Sequence, residues 1–219
     1  MLSCNSIDTR NTITPDMNSD IPKRTFLTLG DSYTIGESVN KKDRWSMQLI
    51  DLLKNDVNFT KHDIIARTGW TTSELTQAIK TRKLVNRYDM VSLLIGVNNQ
   101  YRGQSLNTFR IEFKQLLSTS IKFARDDAKK VIVLSIPDWG KTTFAKGQNI
   151  QQIASEIDTF NSVAEEESKE MNIVFIDITE LTRNNTDASM FALDGLHYSV
   201  EMHKLWAQEA LKTVKGILK

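Results

Sequence analysis

The chain has 219 residues, with 28 basic against 27 acidic side chains and a formal net charge of +1. That length suits one α/β domain and is short for two. A near-zero charge gives no field that favours nucleic acid or an anionic bilayer. One cysteine, Cys4, excludes an intramolecular disulfide and a cysteine-based zinc site, and three histidines leave little for a metal cluster. Any chemistry falls to Ser, His, Asp and amides.

Residues 1–22 are rich in Ser, Thr, Asn and Asp and show no periodicity, so they read as a flexible tail ahead of a domain over 23–219. No stretch reaches the roughly 20 apolar residues of a membrane span. As written, the chain reads as cytoplasmic. The alternative is a lipid-anchored or periplasmic protein, because Leu2-Ser3-Cys4 followed by a polar tether resembles the end of a bacterial lipoprotein signal.

Five short apolar runs follow: Thr25 to Leu29, Asp63 to Ala66, Met90 to Ile95, Val131 to Ile136 and Ile173 to Ile176. Near-continuous hydrophobicity with many β-branched residues fits parallel strands covered on both faces. Helical stripes lie between them: Trp45, Leu49, Leu52 and Leu53; then Leu106, Phe109, Phe113, Leu116 and Leu117; then Ile150, Ile153, Ile157 and Phe160. A last stripe, Met202, Leu205, Trp206, Ala210 and Val214, follows an N-cap at Ser199. This alternation predicts an α/β chain, a three-layer α/β/α sandwich around a five-stranded parallel sheet.

In such sheets ligands sit outside the carboxyl ends of the strands. After the first run stands Gly30-Asp31-Ser32, which can present a serine hydroxyl at a sharp strand exit. After the second comes Gly69, whose backbone N–H can approach a substrate closely. After the third comes Gly96-Val97-Asn98-Asn99, with a carboxamide that donates without titrating. Past the fifth come Asp194 and His197, three apart, able to meet as carboxylate and Nδ1–H and to leave Nε2 for a hydroxyl proton. Each is also an ordinary turn or cap when seen alone. His62, early in a strand, and His203, on the last helix, read as structural or solvated. Neither a P-loop nor a dinucleotide fingerprint is present.

Taken in order, Gly-Asp-Ser, a lone Gly, Gly-x-Asn and Asp-x-x-His resemble the four blocks of the SGNH hydrolases, the GDSL family, from Thr25 to the last helix. The resemblance implies the flavodoxin-like SGNH hydrolase fold and a serine esterase or lipase that hydrolyses ester bonds with no cofactor and no metal. It implies Ser32 as nucleophile, His197 as general base and acid, and Asp194 as the residue that orients His197. The oxyanion hole would comprise the backbone N–H groups of Ser32 and Gly69 and the amide of Asn98, with Asp31 supporting the loop. Two positions depart from the common pattern: Tyr33 replaces Leu, and Asn99 replaces Asp.

Trp70, Tyr101, Arg102 and Trp139 lie just beyond strand ends and are candidate substrate contacts, through a stacked ring or, for Arg102, a carboxylate or phosphate, although aromatics at strand ends are also ordinary core material. The expected partner is a small-molecule or carbohydrate ester, with no nucleic acid and no integral membrane span. A carbohydrate O-acetylesterase is the preferred reading. A lysophospholipase or thioesterase of the same family, or a catalytically silent binding module on the same fold, is the alternative. An electron carrier would need a phosphate-cradling loop after the first strand, which is not evident there.

Overall fold

The computed structural model describes residues 21–82, 84 and 87–218. Nearly all of the sequence-predicted tail, including Cys4, lies outside the described residues.

Five strands form one sheet: β1 (Lys23–Gly30), β2 (Asn58–Ala66), β3 (Met90–Leu94), β4 (Val131–Leu134) and β5 (Val174–Ile176). They lie in the order β2-β1-β3-β4-β5, and every pair is parallel. All of β3 and β4 is buried, which is why their sequences carry no alternation. The edge strand β2 begins five residues before its apolar run. Its first part, Asn-Phe-Thr-Lys-His, is half-exposed and polar, so hydrophobicity alone does not mark it.

The eight helices are α1 (Ser32–Ile35), α2 (Trp45–Leu53), α3 (Thr72–Arg82), α4 (Val97–Tyr101), α5 (Leu106–Phe123), α6 (Ile150–Glu170), α7 (Thr179–Asn184) and α8 (Val200–Ile217), among the described residues. The chain steps from β1 to β2 in one direction and from β2 onward to β5 in the other. Right-handed crossovers therefore place α2 on one face and α3, α5 and α6 on the opposite one. The packing agrees: α2 lies against α8, α5 against α6 and α3 against α5. Trp45, Leu49 and Leu53 meet Met202, Trp206, Ala210 and Val214 in one core layer, while Phe109, Phe113, Ile157 and Phe160 fill the other. Three residues of the expected stripes, Leu52, Leu106 and Ile150, are instead exposed at the margins of α2, α5 and α6.

Ser199 takes the N-cap position of α8, but its hydroxyl makes no capping bond. His203 of α8 is buried and structural, its Nδ1 accepting the N–H of Trp45 at 3.0 Å. Burial holds it neutral by pushing its pKa down to about 3. His62 stacks on Phe26 with ring centroids 5.1 Å apart, and burial lowers its pKa to about 4. Neither histidine lines the crevice: His203 is buried between α2 and α8, and His62 packs on Phe26 at the half-buried edge strand. The strand order reverses direction at β1 and β3, so the crevice above their carboxyl ends is the switch point of the fold.

Candidate active site

Four chain segments meet over that crevice. The first leaves β1 through Gly30, where a Cβ would run into Thr34 and the Leu94 carbonyl. Asp31 then caps α1, its Oδ1 accepting the Tyr33 N–H at 3.0 Å. Ser32, 4% exposed, is the first residue of that short helix, where a backbone N–H has no intrahelical acceptor. Asp31 is buried and its Oδ2 has no partner. Burial raises its pKa to about 7 against the lowering pull of the Tyr33 N–H and neighbouring backbone. Tyr33 presents its ring edge to His197, centroids 5.7 Å apart, and packs on Tyr198 and Trp206. The larger ring at the usual Leu position thus forms a base for the imidazole.

The second segment, Arg67 to Trp70, turns at Gly69 with φ +84°, a left-handed conformation that suits glycine. It ends in a capping box: the Thr71 N–H donates to Glu74 Oε2 at 2.8 Å, and Glu74 N–H reaches Thr71 Oγ1 at 3.5 Å. The third leaves β3 through Gly96, whose φ of +132° and closeness to Ile136 and Phe109 leave no room for a side chain. It presents Asn98 on α4. Asn98 Nδ2 donates to the Trp70 carbonyl at 3.0 Å, and the second hydrogen of that amide remains for a ligand. Asn99 is buried and uses both halves of its amide. Its oxygen accepts the Thr72 N–H at 3.2 Å and its nitrogen donates to Thr72 Oγ1 at 2.6 Å. The Thr72 hydroxyl donates in turn to Glu112, so an aspartate, which only accepts, would bond it only by displacing that contact.

The fourth segment brings Asp194 and His197. His197 Nδ1 and Asp194 Oδ2 are 2.6 Å apart, and Asp194 Oδ1 accepts the backbone N–H groups of Leu196 and His197 at 2.9 and 2.8 Å. Ser38 Oγ also donates to Asp194 Oδ2, at 2.6 Å. Partial burial works against the charged carboxylate, but these donors outweigh it and hold Asp194 well below the usual range. Gly195, with φ +74°, lets the loop approach Thr143, whose hydroxyl donates to the Gly195 carbonyl at 3.1 Å.

Ser32, Gly69, Asn98 and His197 line one cleft of about 150 Å³, together with Tyr33, Thr68, Val97, Tyr101, Trp139, Phe144 and Leu196. No hydrogen bond joins Ser32 to His197 in this arrangement; such bonds commonly tighten only once substrate is bound. Of the four expected substrate contacts, Tyr101 and Trp139 reach the cleft and Trp70 and Arg102 do not line it. Trp70 faces a separate groove along α3. Arg102 is engaged with Glu74 at 3.1 Å and with the Gly69 carbonyl at 2.6 Å. Phe144 carries no signal in the sequence, being one aromatic in a loop, but its ring packs against both Tyr101 and Trp139. Trp139 itself is fixed by an indole N–H to Gln100 Oε1 at 2.8 Å, and Gln100 in turn donates to Glu156 at 2.7 Å.

Among the described residues, no group of three or more His, Cys, Asp or Glu side chains is arranged to hold a metal ion, and no helix is long and apolar enough to cross a membrane.

Solved structures share this fold at low identity. TesA matches with 15% identity and a TM-score of 0.68, covering 88% of this chain and 99% of that one. A lipase/acylhydrolase from Enterococcus faecalis matches with 22% identity and a TM-score of 0.68, covering 88% and 96%. The acetylxylan esterase Axe2 from Geobacillus stearothermophilus matches with 17% identity and a TM-score of 0.68, covering 89% and 95%. No curated protein sequence matches the chain. The model of the GDSL-like Lipase/Acylhydrolase family matches residues 28–205, which carry all four segments of the cleft, and the chain belongs to that family of ester-hydrolysing enzymes.

Proposed function

We propose that the protein is a serine esterase that works through an acyl-enzyme and prefers short acyl groups, with O-acetylated carbohydrates as the substrate class. The carrying observation is the convergence of Ser32, the Asp194-bound His197, Gly69 and Asn98 on one cleft.

In this reading Ser32 Oγ attacks the acyl carbonyl while His197 Nε2 takes its proton. The tetrahedral oxyanion accepts from the backbone N–H groups of Ser32 and Gly69 and from Asn98 Nδ2. Asp194 holds the imidazole in the Nδ1–H tautomer and stabilises the imidazolium. Collapse expels the alcohol with the proton from His197, and water, activated by the same imidazole, releases the acid.

Cleft size supports the short acyl group. About 150 Å³ is well under the roughly 300–1,000 Å³ of pockets that enclose drug-sized ligands. Trp139 is anchored by Gln100 and met edge-on by Tyr101 and Phe144, so the wall does not yield easily. Exposed faces of Tyr101 and Phe144 at the rim offer a platform for a sugar ring. Hydrolysis of p-nitrophenyl esters from acetyl to decanoyl, with acetylated oligosaccharides and acyl thioesters alongside, tests the assignment. Rates should fall steeply beyond butyryl, whereas a maximum at long chains or thioesters would favour the lysophospholipase or thioesterase reading.

A further inference from the structure

Ser38 lies beyond α1, on the segment that carries Ser32, and its backbone has φ +65°. A non-glycine residue is uncommon there, and glycine would adopt that conformation without strain. What serine adds is the hydroxyl. It donates at 2.6 Å to Asp194 Oδ2, the same oxygen that meets His197 Nδ1 at 2.6 Å. The residue before it, Glu37, accepts a hydrogen bond from Thr68 in the Gly69 segment. Adjacent residues of the nucleophile's segment thus tie it to two of the other three segments of the site, those of Gly69 and His197.

We propose that Ser38 is a positioning residue of the esterase reaction: its hydroxyl fixes the rotamer of Asp194 and limits the negative charge that Asp194 offers to His197. The inference rests on the serine-esterase reading. With the donor removed, Asp194 Oδ2 has one partner instead of two and becomes a stronger acceptor for Nδ1–H. A stronger acceptor opposite Nδ1–H favours the positive charge of the pair, so turnover sets in at higher pH. Tyr33 and His203 are the other titratable groups facing the pair; Tyr33 is pushed up and His203 down by burial, so neither changes charge near neutrality. Asp31, behind Tyr33, does titrate there.

The test is the pH dependence of kcat and KM for Ser38→Gly and Ser38→Asn, with Asp31→Asn as a background that removes the second titration. Glycine keeps the left-handed backbone and loses the hydroxyl, while asparagine tolerates that backbone and restores a donor. Ser38→Gly should leave KM within about twofold, lower kcat at neutral pH about tenfold, the size of a hydrogen bond to a charged group, and move the acid limb of kcat to higher pH. Activity should therefore recover in part as pH is raised. Ser38→Asn should restore the parental limb. An unmoved acid limb and parental kcat in Ser38→Gly would overturn the role of Ser38 while an inactive Ser32→Ala kept the esterase reading intact. Full activity in Ser32→Ala would remove both.

Discussion

Asn98 Nδ2 and the Trp70 carbonyl oxygen are 3.0 Å apart, joining the amide proposed for the oxyanion hole to the loop that carries Gly69. Four residues on, Arg102 holds the adjacent Gly69 carbonyl at 2.6 Å and is itself held by Glu74. The Gly69 and Trp70 carbonyls are thereby held from α4 and its C-cap, next to the peptide that carries the Gly69 N–H. Arg102, expected from the sequence to meet an anionic substrate, is committed to this internal task.

Losing one oxyanion donor typically costs about 10²- to 10³-fold in turnover, and Asn98→Ala should fall in that range. Arg102→Ala should show a smaller loss confined to kcat, because it loosens the Gly69 peptide and removes no donor. Steady-state kinetics with p-nitrophenyl acetate distinguishes the two; a rise in KM alone for Arg102→Ala would place it in substrate binding instead.

Three packed rings, Tyr101, Trp139 and Phe144, are among the residues that line the cleft. Phe144 is 42% exposed, so Phe144→Ala should fold and should open the wall beside Trp139. Its hydrolysis of hexanoyl and octanoyl esters, relative to acetyl, should rise over the parent. An unchanged chain-length profile would mean that the limit is set elsewhere.

Between pH 5 and 6, two buried histidines and one buried carboxyl make opposed contributions to the pH dependence of stability. His62 and His203 stay neutral in the fold, at about 4 and about 3, so their contributions are full above the unfolded value and decline as pH falls below it. Asp31, raised to about 7, contributes fully at acid pH and loses that contribution as pH rises through its folded value. Near pH 5.5 unfolding should take up about two protons at the histidines and release about one from Asp31, a net uptake of about one. Stability should therefore rise with pH in that window, and Asp31→Asn should roughly double the slope. Urea titrations between pH 5 and 6 measure it, and identical slopes for the two proteins would refute the assignment to Asp31.

The sheet and the four site segments were legible because each rests on local chemistry. A buried parallel strand must be apolar throughout, and a strand exit that presents a serine or turns at φ +84° selects its residues within a few positions. The unread parts depend on partners distant in sequence. Nothing about Ser38 signals that its hydroxyl meets Asp194, 156 residues away. Trp70 and Arg102 stand at strand ends like true cleft residues, and only the tertiary arrangement turns them aside. The start of β2 was missed because an edge strand need not be hydrophobic, and His203 was ambiguous because burial on a helix follows from the facing Trp45, not from the histidine itself.

Asp194→Asn should lower kcat by about 10⁴-fold, since an amide at that site favours the wrong imidazole tautomer. It should also change acid behaviour. Asp194 is held below its unfolded value, so its stabilisation is present above about pH 4 and is lost as pH falls from there toward the folded value. Unfolding midpoints from pH 5 to pH 2.5 should converge for parent and variant. A constant gap across that range would contradict the charge interaction.

The central claim is that Ser32 is the nucleophile and His197 its base. The most direct measurement is intact-mass and peptide mapping after exposure to a fluorophosphonate, with Ser32→Ala and His197→Ala beside the parent. One adduct on the Ser32 peptide is expected in the parent, none in Ser32→Ala and strongly slowed labelling in His197→Ala. Labelling at another residue, or ester hydrolysis by Ser32→Ala at the parental rate, would contradict the account.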